Sequence, residues 1–263
     1  MTGPAFGPSG AFGPSGVGAV AHTYADRLDD AIRVEGDDGH HLQRVRRLEP
    51  GEHVTAADGY GRWRSYVITT AHDGALDLHA TSELEHEPLL EPGLAVAPSL
   101  TKGDRPELVV QKLTELGVDR IVLVEAARSV VHWNEHRAAR ALTRLVRVAR
   151  EAGAQSRRAR LPVLEGPVAP VDVADHPGLV IADPAGVTAA ALVGPGAAPG
   201  SRAEWLVAVG PEGGFTAAEL ERFGEVPRLA VSPFVLRAET ASIAAAAALA
   251  GRRIRTVPPP RSE

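Results

Sequence analysis

Five short apolar runs, LAVAPSL from Leu94, IVLVEA from Ile121, LVIA from Leu179, WLVAV from Trp205 and RLAVS from Arg228, alternate with helical stretches in this 263-residue chain. Short continuous apolar runs of this kind suit strands buried on both faces by crossover helices. They predict an α/β domain with a mostly parallel sheet.

Upstream the grammar differs. HVTAA, RWRSYVITTA and ALDLHA alternate apolar and polar residues and are separated by turn signals such as Asp58-Gly59. That pattern predicts antiparallel strands and hairpins, assembled as a small β-barrel. The first residues repeat FGPSG at Phe6 to Gly10 and Phe12 to Gly16, with no periodicity able to bury a face, and read as a disordered leader. The expected division is a leader over 1–20, a barrel domain over 21–88 and an α/β domain over 89–253, with the linker in EPLLEPG.

Composition limits the chemistry. The chain has no cysteine, which removes disulfides, thiolate metal sites and cysteine nucleophiles. A formal charge of -5 does not suit a general nucleic-acid binder, so any polyanion site must be local. No apolar stretch is long enough to cross a bilayer, no secretory signal opens the chain, and a cytoplasmic location is expected.

A local basic site is present in the sequence. A helix expected from about Glu135 to Ala152 carries Arg137, Arg140, Arg144, Arg147 and Arg150 on one broad face, with Leu142, Leu145, Val146 and Ala149 opposite. From Arg137 to Arg160 the chain holds eight arginines against one acid, Glu151. An isolated arginine stripe is ordinarily a solvated face. Here QSRRAR continues it with more guanidinium groups instead of balancing acids, which favours phosphate binding.

GPEGGF follows the WLVAV strand and ends in Thr216-Ala217-Ala218-Glu219, a capping box that opens a helix. The turn therefore sits at the carboxyl end of a strand, where open α/β sheets bind ligands. It has neither G-K-[ST] nor G-x-G-x-x-G, and Glu212 would repel a phosphate. A ligand with a cationic centre and ribose hydroxyls, without phosphate, suits it better. Further on, VSPFVLRAETASIAAAAALA places Arg237, Glu239 and Thr240 at the entrance of an alanine-rich helix. Another helix is expected over Pro106 to Leu116, punctuated by Gly117. His132-Trp133-Asn134-Glu135-His136 matches H-x-x-E-H, but lies where a loop turns into the arginine helix, so no metal site is assigned.

Four blocks, KGDRPELVVQKLTELGVDRIV, EAGAQSRRARLP, VGPEGGFTAAEL and VLRAETA, resemble in that order the signature blocks of the RsmE-type 16S ribosomal RNA uridine-N3 methyltransferases, and HHLQRVRRLEPGEHV resembles their PUA-like barrel. The resemblance covers roughly Tyr24 to Gly251. It implies a SPOUT-class α/β fold with a trefoil knot, a rare exception to unthreaded topology, S-adenosylmethionine as cofactor, and a homodimer. The substrate implied is 16S rRNA, naked or in the assembled small subunit.

By that resemblance Gly210, Pro211, Glu212, Gly213, Gly214, Ser232, Val235, Leu236 and Thr240 bind the cofactor. Arg237 would stabilise the uracil anion, and Glu239 would accept the imide proton or orient Arg237. Gln155, Ser156 and Arg157 would position the nucleotide, Arg144, Arg147, Arg158 and Arg160 would hold phosphate, and Arg44 and Arg47 would reach flanking RNA. The family's L-G-P-R-I-L-R reads Val231-Ser232-Pro233-Phe234-Val235-Leu236-Arg237 here, without the glycine and the first arginine. The absence of cysteine excludes C5 methylation of a pyrimidine by the usual adduct. The other functions to weigh are a different SPOUT RNA methylation, at a 2'-hydroxyl or another base, and a non-catalytic RNA-binding or ribosome assembly factor.

Overall fold

The computed structural model describes residues 13, 14, 16, 18–103 and 105–253. The first FGPSG repeat, and most of the leader expected over 1–20, lie outside the described residues. The described residues divide into two compact units, one of those up to 88 with 153–161, the other of 89–152 with 162–253.

The first unit is a six-stranded sheet in the order β1 (Ala21–Tyr24), β3 (His53–Ala57), β4 (Arg62–His72), β5 (Ala75–Ala80), β2 (Ala31–Val34), with β6 (Glu85–His86) on β4. The β3, β4 and β5 pairings are antiparallel, as alternation predicted. Strand β1 instead pairs parallel to β3. Asp58 closes the β3–β4 turn, its Oδ1 accepting from the amides of Tyr60 at 2.7 Å and Arg62 at 3.1 Å. The inward residues Val54, Tyr66, Ile68, Leu76 and Leu78 form the core. A short helix α1 (Gly36–His40) runs into a π-helical turn, His41–Val45, with His40 and His41 at the junction of the two.

The second unit has a six-stranded sheet in the order β12 (Arg228–Leu229), β10 (Leu179–Val187), β11 (Glu204–Val209), β7 (Gly93–Pro98), β8 (Arg120–Val124), β9 (Val163–Val168). Every pairing in it among the described residues is parallel. Successive side chains point to opposite faces. Leu94, Val96, Ile121, Val207 and Val209 face one core together with Val110 and Leu113 of α2 (Arg105–Glu115), Leu145 of α3 (Glu135–Gln155) and Ala245, Ala246 and Leu249 of α6 (Ala238–Arg253). Ala95, Ala97, Val122, Leu206 and Ala208 face the other, with Val173 of α4 (Pro170–Ala174) and Phe223 of α5 (Ala217–Phe223). The alanines of α6 let it lie close over β7 and β11 and against α2.

Strand β9 has no counterpart among the apolar runs. VLEGPV sits at the sheet edge and is only half-buried, so it never needed to be apolar throughout. Helix α2 begins one residue earlier than Pro106 and ends one before Leu116. Val146, expected on the apolar face of α3, is half-exposed, because the buried stripe passes through Ala141, Leu145 and Ala149.

Candidate active site

The turn after β11 and the bend before α6 meet. Gly210, Pro211, Glu212 and Gly214 from the first, and Ser232, Val235 and Leu236 from the second, line one cleft of about 330 Å³ at the carboxyl ends of β10, β11 and β12. Val209, Leu229, Val231, Ala238 and Ala241 supply apolar wall. Asp183 and Arg228 pair at the rim. The amide of Ala185 is the main cause holding the Asp183 carboxyl below its usual range, and Arg228 adds to it.

Local bonds fix the turn. Ser99 binds the Val209 carbonyl through both its amide, 3.0 Å, and its hydroxyl, 2.8 Å. Gly214 has φ +68°, a left-handed conformation that costs a side-chain-bearing residue, and Gly213 lies against Arg128. Arg128 Nη1 donates to the Gly213 carbonyl at 2.8 Å. The capping box forms as the sequence foretold: Thr216 accepts from the Glu219 amide at 3.2 Å, and Glu219 Oε2 accepts from the Thr216 amide at 2.6 Å. Its other oxygen, Oε1, accepts from the Ala127 amide at 2.8 Å, so one carboxylate ties the turn to the loop after β8. Burial tends to raise the Glu219 carboxyl, but these donors outweigh it and hold the group below its ordinary value.

At the entrance of α6, Arg237 is exposed and its carbonyl accepts from the Ala241 amide at 2.8 Å. Thr240 is exposed on the first turn of α6, outside the residues that line the cleft. Glu239 is buried, and the ion pair it makes corrects one expected role. Glu239 Oε1 lies 3.5 Å from Arg105 Nε, so its partner is Arg105 and not Arg237. Arg105 Nη1 also donates to Glu212 Oε1 at 3.1 Å, so the first residue of α2 joins the glycine turn to the first turn of α6. Glu239 Oε2 is buried without a hydrogen-bond partner among the described residues. Sequence reading missed Arg105. It lies inside KGDRPEL, directly before the proline that marked the helix start, and its partners stand more than 100 residues away.

The basic residues sort by exposure. On the second unit Arg144 and Arg147 are exposed, Arg144 paired with Glu107 at 2.6 Å and Arg147 with Glu151 at 3.1 Å. The first unit carries Arg44 and Arg47, both exposed, and the segment Gln155, Ser156, Arg157, Arg158, Arg160. Gln155 is exposed; Ser156, Arg157 and Arg160 are half-buried. Arg157 holds φ +55° and donates to the Ala19 carbonyl at 2.6 Å. Arg158 departs from its expected phosphate role: it is 9% exposed, and its carbonyl accepts from Tyr24 Oη at 2.7 Å, which makes it an internal support.

The H-x-x-E-H segment is structural. His132 Nδ1 pairs with Glu125 at 2.8 Å, and Asn134 caps α3 by accepting from the Arg137 amide at 2.9 Å. Among the described residues no cluster of histidine and acidic side chains could hold a metal, and no helix is long and apolar enough to cross a membrane.

Comparison with known proteins accords with this geometry. Residues 90–250 match an RNA methyltransferase domain family and residues 34–79 an RNA methyltransferase PUA domain family. The chain is 34% identical to ribosomal RNA small subunit methyltransferase E of Mycobacterium bovis over 86% of its own length and 89% of the relative's. To the Bacillus subtilis protein of that name it is 29% identical, over 82% and 88%. The crystal structure of the Neisseria gonorrhoeae ribosomal RNA small subunit methyltransferase E bound to S-adenosyl methionine superposes with a TM-score of 0.75 at 25% identity, over 88% of this chain and 97% of that one. A Legionella pneumophila protein solved with bound cofactor SAM gives the same score, identity and coverage. The chain belongs to the ribosomal RNA small subunit methyltransferase E family.

Proposed function

We propose that this protein transfers a methyl group from S-adenosylmethionine to N3 of a uridine in 16S rRNA of the small ribosomal subunit. The observation that carries the reading is the single cleft formed by the turn Gly210–Gly214 and the bend Ser232–Leu236, with Arg237 beside it. The cleft fits the cofactor's chemistry. Its walls are largely apolar, as a nucleoside requires, its volume is within the usual range for small-molecule sites, and its turn carries a carboxylate where a phosphate would be repelled. The bound cofactor would supply an electrophilic methyl group.

The remaining work falls to the chain. The turn Gly210, Pro211, Glu212, Gly213 and Gly214, with Ser232, Val235 and Leu236, holds the donor, and Thr240, outside the cleft lining, takes no part in it. Uracil N3 carries an imide proton that must pass to a base, Glu239 through its Oε2, unpartnered among the described residues, or solvent water, before N3 can attack, and Arg237, exposed at the helix entrance, stabilises the anion that results. Glu239 acts through Arg105, keeping the entrance of α6 charged and fixed. Alignment of N3 with the methyl carbon provides much of the acceleration. Arg44, Arg47, Arg144, Arg147, Gln155, Ser156, Arg157 and Arg160 serve as the RNA contacts.

The same reading assigns residues 21–88 to a PUA-like RNA-binding domain, 89–253 to the methyltransferase domain and 1–20 to a leader. It includes a trefoil knot, supported by the path of the chain from edge strand β12 back to α6 over the sheet centre. It also includes a homodimer, supported by the exposure of Phe234 (74%) and Val235 (91%) at the bend, and a cytoplasmic location.

Labelled methyl transfer to small subunits lacking the modification, mapped by reverse-transcription stops, tests the function. A single stop at one uridine, with N3-methyluridine by mass spectrometry, is expected. A methylated ribose or other base would assign another RNA methylation. RNA binding without cofactor binding would make the chain an assembly factor. Arg237→Ala is expected to abolish turnover with little change in cofactor affinity; comparable activity in that variant would remove the assignment.

A further inference from the structure

The ion-pair cluster at the cleft has an uneven charge. Arg105 faces both Glu212 and Glu239, so one guanidinium against two carboxylates leaves a net charge of minus one. The nearby Asp183–Arg228 pair is balanced, Arg128 is committed to the outer side of the turn through the Gly213 carbonyl, and Arg237 is exposed to solvent. Glu212 lines the cleft itself, whereas Glu239 is 8% exposed with Oε2 unpartnered among the described residues. A buried carboxylate oxygen without a donor is costly unless a positive charge offsets it.

Resting on the function proposed above, we infer that Arg105, Glu212 and Glu239 form a charge sensor that distinguishes the methyl donor from the spent product. S-adenosylmethionine carries a sulfonium cation. S-adenosylhomocysteine carries a neutral thioether but keeps the same adenosine, α-amino and carboxylate groups. A cleft with net negative charge favours the first over the second by the sulfonium charge alone. Arg105 is a positioning residue here: it holds the two acids together and limits their excess to one charge, enough to attract the cation without repelling the donor's own carboxylate. This accounts for a glutamate within a glycine turn that otherwise resembles an anion cradle.

The discriminating quantity is the ratio of dissociation constants for S-adenosylmethionine and S-adenosylhomocysteine, measured by calorimetry on the full chain. Loss of a clamp alone weakens both ligands together and leaves the ratio unchanged. Loss of charge moves the ratio. Glu212→Gln and Glu239→Gln are each expected to raise it, against the donor, by on the order of three- to tenfold for unit charges a few ångströms apart in a partly solvated site. Arg105→Met, which leaves two uncompensated acids, is expected to lower it by a similar factor, and Arg105→Lys to preserve it. An unchanged ratio in both glutamine variants and in Arg105→Met, with folding verified by circular dichroism, would overturn the sensor while leaving the enzyme reading intact. Failure of the unmutated protein to bind either ligand would instead overturn the enzyme reading and the sensor with it.

Discussion

Arg253 Nη2 donates to Asp119 Oδ2 over 2.6 Å in the interior of the second unit, and Arg253 Nη1 donates to the Gly117 carbonyl at 2.8 Å. Arg253 is 1% exposed, and the same Asp119 oxygen accepts from the Leu94 amide at 3.0 Å. The last turn of α6 is thus tied to the start of β7 and the turn before β8. Removing Arg253 leaves Asp119 with the longer Arg202 contact at 3.7 Å, and neutralising Asp119 takes this carboxylate away from a buried guanidinium. Arg253→Ala and Asp119→Asn are each expected to cost about 3–5 kcal/mol in urea unfolding. The double variant should cost clearly less than the sum of the two, because each single change already exposes the same defect. Additive losses would show that the two side chains act separately.

His22 in the first unit sets an acid limit on stability. It is 5% exposed, with Nδ1 2.8 Å from Thr55 Oγ1 and Nε2 3.1 Å from the Arg158 carbonyl. Burial, opposed in part by the bond to Arg158 and reinforced by the Arg157 charge, lowers its pKa to about 4. An unfolded histidine titrates near 6.5. Between those values the unfolded chain binds a proton that the native chain does not, so native stability falls as pH drops through that window. The loss from pH 7.5 to pH 4 from this group is about 3 kcal/mol. His22→Gln is expected to flatten that slope while lowering stability at neutral pH. An unaltered slope in the variant would move the acid sensitivity to the carboxylates.

Glu219 joins two loops through one side chain, accepting from Thr216 and from Ala127. Glu219→Ala removes the reciprocal cap of α5 and the link to the loop after β8. Hydrogen bonds to an ionised acceptor contribute about 1.5–3 kcal/mol, so a loss of about 2 kcal/mol in global stability is expected. Because the turn Gly210–Gly214 lines the cleft, affinity for S-adenosylmethionine should fall as well. Thermal unfolding paired with calorimetry separates the two effects. A variant that loses stability but keeps full affinity would show that the turn holds its shape without the clamp.

Local patterns carried the parts of this site that depend on neighbouring residues. GPEGGF and its Thr216/Glu219 box were readable because a strand end, a left-handed glycine and a helix start are written within ten residues. The meeting of Gly210–Gly214 with Ser232–Leu236 was expected only through the resemblance of ordered blocks, since no periodicity encodes which strand ends adjoin. Arg105 escaped because its meaning lies in two carboxylates on other elements. Strand β9 escaped because an edge strand is under little pressure to be apolar. Arg158 misled because an arginine among arginines looks solvated, and only packing of 153–161 into the first unit buries it.

Arg147 and Arg158 should therefore respond oppositely to neutralisation. Arg147 pairs with Glu151 at the surface, both side chains being more than 60% exposed, and such surface pairs contribute little. Exchanging that pair for a phosphate costs little. Arg147→Gln is expected to leave unfolding unchanged and weaken RNA binding at all sequences alike. The slope of log affinity against log salt should become shallower by about 0.7–0.9 if one phosphate contact is lost. Arg158 is buried near Glu87, whose carboxyl is raised chiefly by burial and lowered in part by the Arg158 charge. Arg158→Gln removes that charge, and a loss of about 3 kcal/mol in stability is expected with no change in the salt slope of the folded protein. Paired unfolding and salt-titration measurements on both variants decide the matter. An Arg158→Gln protein of full stability but shallower salt slope would return that arginine to the RNA surface.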